Sequence, residues 1–344
     1  MWDIRPAHMD RDHQLMIDAI VKYLNPDADE ARFNWLYFGN PHGAGLAWIA
    51  RDPVTQDFVG MASAFPRCVY YEGKEQVGWV LGEFCVHERF RMLGPALALQ
   101  RTILGEMCAN KIKMFYDFPS VGMMAIYGRL SIQASHRMVR MACPLRVDQW
   151  LFDRLKPSWI ADCISPVANA ALKMRHRPGT SSPRLSILPF MGPCGAEFTE
   201  LAEETRWRFG NVVKRSAAYL DWRYFHNPQR RSDMLIARVH GRLIAYAVFG
   251  QDGPHGYLLD LFGFGEPAAI VQLVKRAATI LLERGASTLS VAILDSHPMV
   301  PILRRYGFYE REYSPAVICE VGMDLKQGNK PPGRWCLMHG DRDS

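Results

Sequence analysis

Two stretches of the chain, 187 residues apart, repeat one order of apolar and polar positions. Trp35-Leu36-Tyr37-Phe38-Gly39-Asn40-Pro41 returns as Trp222-Arg223-Tyr224-Phe225-His226-Asn227-Pro228, identical at five of seven positions. At the same offset Ile49-Ala50-Arg51 returns as Ile236-Ala237-Arg238. Two matches in one register mark an internal duplication. In the first copy an apolar strand at Ile49 is followed by the turn Pro53–Asp57 and by Phe58-Val59-Gly60-Met61-Ala62. In the second, a strand at Ile236 is followed by His240-Gly241-Arg242 and by Leu243-Ile244-Ala245-Tyr246-Ala247. Each reads as a β-hairpin.

Beyond the hairpins the apolar period switches between 2 and 3.6 in the same order. The first copy predicts a strand over Val77–Val86, a helix over Leu97–Cys108, a strand over Ile112–Phe118 and a helix over Met123–Leu130. The second predicts a strand over Gly256–Phe262, a helix over Ala268–Glu283, a strand over Ser287–Ile293 and a short helix over Met299–Tyr306. Strands alternating with helices imply an α/β (α+β) fold with a mixed sheet flanked by helices. Between the copies, a helix is expected over Trp159–Lys173, and Arg177-Pro178-Gly179-Thr180-Ser181-Ser182-Pro183 has loop composition. The expected organisation is a domain over 1–150, a helical linker over 151–184 and a second domain over 185–344. The repeated aromatics read as packing at a helix exit closed by Asn-Pro, in preference to ligand contact.

Composition narrows the function classes. The 344 residues suit two domains, and 49% hydrophobic with 22% charged residues is globular usage. A net charge of +6 and a pI near 8.9 fit an anionic ligand. The densest basic stretch, Lys173–Arg184, falls in the Pro/Gly/Ser-rich linker, and no recognition helix or aromatic-basic ladder appears, so no nucleic-acid partner is expected. The eight cysteines form no CxxC and none sits at zinc spacing with histidine, so reduced thiols and no metal are expected. The charged start, Met1 to Gln14, lacks the apolar core of a signal peptide. No run reaches the ~18 apolar residues of a membrane helix. A cytoplasmic protein with no integral membrane segment is expected.

The chemistry concentrates in Gly82-Glu83-Phe84-Cys85-Val86-His87-Glu88-Arg89-Phe90-Arg91-Met92-Leu93-Gly94-Pro95-Ala96, where a strand runs through a loop into a helix. Unpaired amides and the dipole at a helix N-terminus make a cradle for a pyrophosphate. Gly94 lets the backbone approach a phosphate, Ala96 keeps the helix start unobstructed, and Arg91 supplies charge. Arg91-x-x-Gly94-x-Ala96 resembles the [R/Q]-x-x-G-x-[G/A] acyl-CoA motif of the GNAT superfamily (GCN5-related N-acetyltransferases). The opening Ile4-Arg5-Pro6-Ala7 and the ending Tyr306-Gly307-Phe308 are also similar to that family. The duplicated aromatic motif, with Trp335 near Gly340-Asp341, resembles a bacterial subgroup of tandem GNAT proteins. The resemblance implies two tandem GNAT-like domains, each with a mostly antiparallel sheet. It implies acetyl-CoA or another acyl-CoA as co-substrate, held by Cys85, Val86, Arg91, Met92, Leu93, Gly94, Pro95, Ala96 and Ser120. Two positions depart from the family pattern. Pro95 has no N–H to donate, and Ser120, in Phe118-Pro119-Ser120, stands where the family often has Asn. The second copy, Leu259 to Pro267, lacks the Arg and Gly-x-Ala, and is expected to be a partner domain that shapes the acceptor cleft.

The same resemblance implies direct transfer of the acyl group to an amine. Glu83 is the candidate base, Tyr127 the candidate acid toward the departing sulfur, and the N–H near Val86 the candidate oxyanion donor. Against these stand blander readings: a solvent-facing ion-paired glutamate and a core tyrosine. His87 and His136 are alternative bases, and Cys85 as a nucleophile would need an activating histidine. The expected acceptor is a small-molecule or peptidyl amine. The alternatives are a Fem-like aminoacyl transferase and a catalytically degenerate GNAT-like partner protein.

Overall fold

The computed structural model describes residues 2–91, 93–109, 112, 114–148, 158–176, 184–263, 267–320 and 333–343, without the side chains of 93, 158–163 and 320. Met92, Gly265, Glu266 and the linker stretches 149–157 and 177–183 lie outside the described residues. The first half runs β1 (Asp3–Pro6), α1 (Met9–Tyr23), α2 (Glu30–Tyr37), β2 (Leu46–Arg51), β3 (Phe58–Tyr71), β4 (Lys74–Val86), α3 (Leu93–Ala109), β5 (Met114–Asp117), α4 (Val121–Arg129) and β6 (His136–Pro144). After α5 (Ser158–His176) the second half runs β7 (Leu185–Phe190), α6 (Ala196–Thr205), β8 (Asn211–Val213), α7 (Ala217–Leu220), β9 (Asp233–Val239), β10 (Arg242–Asp252), β11 (His255–Gly263), α8 (Pro267–Glu283), β12 (Thr288–Leu294), α9 (Val300–Tyr306), β13 (Tyr309–Glu320) and β14 (Trp335–Cys336).

Local chemistry explains the main boundaries. The Asp29 side chain caps α2 by accepting from the Arg32 N–H, and Ser120 caps α4 by accepting from the Met123 N–H. Helix α9 stops at Gly307, whose φ of 114° only glycine adopts cheaply. Helix α3 begins four residues earlier than the expected Leu97, because Gly94 and Pro95 are accommodated in its first turn, where no N–H partner is required. Strand β3 runs nine residues past the expected Ala62, since β3 and β4 pair all the way to the turn at Glu72-Gly73.

Fourteen strands of the described residues form one sheet, in the order β1-β2-β3-β4-β5-β13-β6-β12-β11-β10-β9-β7, with β8 pairing β3 and β14. The two halves exchange their last strands. Strand β6 crosses over to pair β12, from Thr288↔Pro144 to Leu294↔Met138. Strand β13 returns to pair β5, from Val317↔Asp117 to Glu320↔Met114. Helices α3 and α4 cover one face of the first half over a core that includes Leu81, Leu99, Ile103 and Phe115. The opposite face, under α1 and α2, is continuous with the core of the second half.

The duplicated motif lies on the approximate two-fold between the halves. The Trp35 indole N–H donates to the Trp222 carbonyl and the Trp222 indole N–H to the Trp35 carbonyl, each at 2.8 Å. The rings stack at 5.0 Å and 21°. The aromatics therefore pack the halves together, as their sequence context suggests. Trp35→Phe and Trp222→Phe should each cost about 1–3 kcal/mol, through a lost hydrogen bond and a buried carbonyl left unpaired. Because the residues touch, the double variant should depart from the sum by at least about 0.5 kcal/mol. Equilibrium urea unfolding of the four proteins measures both, and strict additivity would refute the coupling.

Candidate active site

The site is made by two strands that part company. Parallel strands β4 and β5 pair only at Trp79↔Phe115 and Val80↔Tyr116, yet β4 continues to Val86. From residue 81 onward the sheet is open between them. The opening is accompanied by a bulge: Met61 faces Cys85 and Ser63 faces Gly82, so β4 holds one residue more than β3. Glu83 carries the distortion at φ 46°, a left-handed conformation unusual for a non-glycine residue. The extra residue shifts the alternation, so Leu81, Phe84 and Val86 join the core under α3, while Cys85 joins the opposite core.

A cavity of about 750 Å³ runs through this opening. Its walls include Leu81–Val86 of β4, Ala96, Gln100 and Ile103 of α3, Asp117 to Ser120 after β5, and Arg342 and Asp343 from the far end of the chain. Of the residues expected from sequence, Glu83, Cys85, Val86, Arg91, Ala96 and Ser120 line it. Gly94 and Pro95 fall in the first turn of α3, outside the lining set. A Cβ on Gly94 would meet nothing within 4 Å, so the helix start faces open space that a phosphate can take. Residue 87 donates its N–H to Val59 on the β3 side. By strand alternation the N–H groups of Val86 and Phe84 then aim into the opening.

Glu83, the candidate base, lies on the cavity wall. It is 6% exposed, faces inward and is ion-paired. One carboxylate oxygen accepts from Arg32 at 2.5 Å and the other from the Tyr37 hydroxyl at 2.5 Å, with Ser63 Oγ 2.6 Å from that hydroxyl. Burial raises its pKa, opposed chiefly by the Arg32 charge. Tyr127 is fully buried and not on the cavity wall. Its hydroxyl donates to Asp117 at 2.6 Å, and Asp117 is on the wall. Burial pushes the Asp117 carboxyl up to about 7 against the pull of that hydrogen bond, and the Asp343 charge adds to the rise. Cys85 is buried and its thiol is pushed up to about 12, which keeps it neutral. Ser120 spends its lone pair on capping α4, leaving its own O–H to donate. Of the alternative bases, His87 accepts from the Arg89 N–H, and His136 contacts Ser135 away from the cavity.

Sequence reasoning missed Arg32, Asp117, Arg342 and Asp343. Asp117 carried a readable signal, a carboxylate at the end of a predicted strand. Arg342 and Asp343 carried none, because their place depends on a tertiary path. Residues 338–341 fill the corresponding opening of the second half: Met338 bridges Ile293 of β12, and a Cβ on Gly340 would lie 3.0 Å from the Leu259 carbonyl of β11. The second half thus closes its own opening with chain, and the segment emerges in that of the first.

No family model and no curated protein sequence matches the chain. Solved structures do match. A GCN5-related N-acetyltransferase from Anabaena variabilis ATCC 29413 aligns with TM-score 0.68 at 12% identity, over 94% of this chain and 74% of that one. A tandem GNAT protein from the clavulanic acid biosynthesis pathway aligns with TM-score 0.59 at 14% identity, over 94% and 99%. N-myristoyltransferase from Saccharomyces cerevisiae, solved with bound myristoyl-CoA and inhibitors, aligns with TM-score 0.58 at 14% identity, over 92% and 79%. The chain therefore has the tandem GNAT fold. Among the described residues no helix is long and apolar enough to cross a membrane.

The raised Asp117 gives a pH signature. Its folded pKa near 7 lies above the ordinary 3.8, so folding favours the protonated form. The associated stability is present below pH 4 and is lost as the pH rises to 7, by up to about 4 kcal/mol. Asp117→Asn should remove this loss, so that the variant gains on wild type between pH 4 and 8 in urea unfolding. Parallel pH profiles would show that Asp117 titrates normally.

Proposed function

We propose that the protein transfers an acyl group from acyl-CoA to an amine in the open sheet of its first half. One observation carries this reading: a single cavity connects the N-terminal end of α3 to the bulge in β4 and to Asp117. The open start of α3, with Arg91 beside it, suits a pyrophosphate. The pantetheine arm then lies along the unpaired edge of β4, where the N–H groups of Val86 and Phe84 can pair with carbonyl oxygens. The neighbours named as N-acetyltransferase and as N-myristoyltransferase with bound myristoyl-CoA support the same assignment.

Acyl-CoA supplies a thioester, and the chain's residues act on it. The Val86 N–H meets the charge that develops on the carbonyl oxygen. The amine nitrogen attacks the carbonyl carbon, the C–N bond forms and the C–S bond breaks. Asp117, with a carboxyl near 7, gives its proton to the leaving sulfur. Tyr127 acts through Asp117 as a positioning residue, by holding one carboxylate oxygen. The halves build the acceptor side together, since Arg342 and Asp343 share the wall with Glu83.

Adding acetyl-CoA at a hundredfold excess over its Kd should raise the melting temperature by roughly 5 °C. Arg91→Glu combined with Gly94→Glu should abolish that rise while leaving the unliganded melting temperature within a few degrees. Release of free CoA thiol in the presence of a primary-amine panel should be lost in parallel. A coenzyme-induced shift that survives the double substitution would sink the assignment.

A further inference from the structure

Three carboxylates meet at the opening, and they differ in what holds them. Both oxygens of Glu83 are occupied, by Arg32 and by Tyr37. Asp117 is tied to the Tyr127 hydroxyl. Asp343 accepts one hydrogen bond among the described residues, from the backbone N–H of Glu83 at 3.3 Å. That N–H belongs to the bulge residue itself. The place is made by a missing side chain: a Cβ on Gly82 would lie 2.0 Å from a carboxylate oxygen of Asp343.

The segment that brings Asp343 there is fixed deep in the protein. Arg215, 2% exposed, pairs with Asp260 of β11 at 3.0 Å and with Asp341 at 2.6 Å. Arg223 Nε donates to the Gly340 carbonyl at 2.9 Å, and Tyr116 of β5 donates to the Asp341 carbonyl at 2.9 Å. The Arg342 guanidinium lies over the Phe118 ring, 5.2 Å from its centre. Buried anchors on both sides of the opening hold the backbone immediately before a carboxylate that has one weak partner. A surface tail has no need of such anchoring, whereas a group that must meet a reacting atom does.

We infer that Asp343 is the base that receives the proton of the acceptor amine. The inference rests on the acyltransferase reading and deepens it. A primary amine arrives as an ammonium. One of its protons passes to the Asp343 carboxylate and from there to solvent. The neutral nitrogen attacks the thioester carbon, the C–N bond forms, the C–S bond breaks, and its pair goes to sulfur. The nitrogen's second proton passes to the Asp343 carboxylate, which has already given the first to solvent, and from there to solvent. The sulfur takes its proton from Asp117, which is reprotonated from solvent. One amide, one CoA thiol and one released proton balance the step. The acceptor class follows: a cationic primary amine, drawn to a site where the Glu83 charge is neutralised by Arg32 and that of Asp343 is not neutralised by a paired cation. The charged groups facing Asp343 are Glu83 on β4, Asp117 on β5, Arg342 beside it in the chain, and Arg223 after α7.

The test uses the full chain, with acetyl-CoA and a panel of primary amines, and follows thiol release from pH 6 to 10. Asp343→Asn should lower kcat at pH 7 by about a hundredfold, the usual scale of general-base loss. The KM for acetyl-CoA and the coenzyme-induced rise in melting temperature should stay within twofold of wild type. The deficit should shrink as the pH approaches that of the free amine, because a neutral amine needs no base. Asp343→Glu should recover a tenth or more of the lost rate. A variant within threefold of wild type at pH 7 overturns the inference. So does a pH-independent deficit accompanied by loss of the coenzyme shift, which marks a structural role. Wild type that binds acetyl-CoA yet releases no thiol with any amine overturns the acyltransferase reading itself, and Asp343 with it.

Discussion

An extra residue in β4 is the constraint from which the site follows. With Glu83 and Phe84 opposing the single position Ala62 of β3, the strand turns away from β5 after two pairs. The candidate site then lies along an edge that has lost its partner. In a sheet such an edge is a liability, because unpaired amides and carbonyls seek another strand. Here residues of α3, α4 and the segment at 342–343 line the space beside it. The distortion itself is held by the buried contacts of Glu83 with Arg32 and Tyr37. An ion pair this deep gains little net stability, since removing two charges from water offsets their attraction. Its value is in fixing the backbone of residue 83 in a conformation it would otherwise avoid.

Duplication has given the two halves similar openings and different fates. Strand β11 also departs from its parallel neighbour β12 after four pairs, and Asp260 sits beside a bulge there, paired with a buried arginine as Glu83 is. In the second half that space is filled by residues 338–341. The second half therefore uses its opening as an anchoring socket, and the chain it anchors continues into the opening of the first.

Much of this was legible in the sequence, and the limits are physical. The repeat at offset 187 marked the duplication and the packing role of its aromatics, but that Trp35 and Trp222 pack on each other came only from the structure. The alternation of periods located β4, α3, β5 and α4 to within a few residues. Helix starts were less well placed, as at Leu93, since the first turn of a helix has no hydrogen-bond partner to betray it. The bulge that brings Leu81 into one core with Phe84 and Val86 left no mark in the alternation. Tyr127 stood out as an aromatic on the right helix, yet its hydroxyl serves Asp117, and only coordinates distinguish a tyrosine facing the cavity from one a residue's width behind it. Asp343 lay 260 residues from the Glu83 amide it meets. No periodicity connects two points that far apart.

The exchange of β6 and β13 bears on how the molecule comes into being on the ribosome. The edge of β5 waits for a strand that begins at Tyr309, and β6 waits for partners from 288 onward. A nascent chain released as far as its first 150 residues holds two unsatisfied strand edges and has no completed cleft. Such long loops close slowly and expose sticky surface while they wait. The organism that makes this protein thus has reason to shield it during synthesis. A truncated translation product would present an open β-edge.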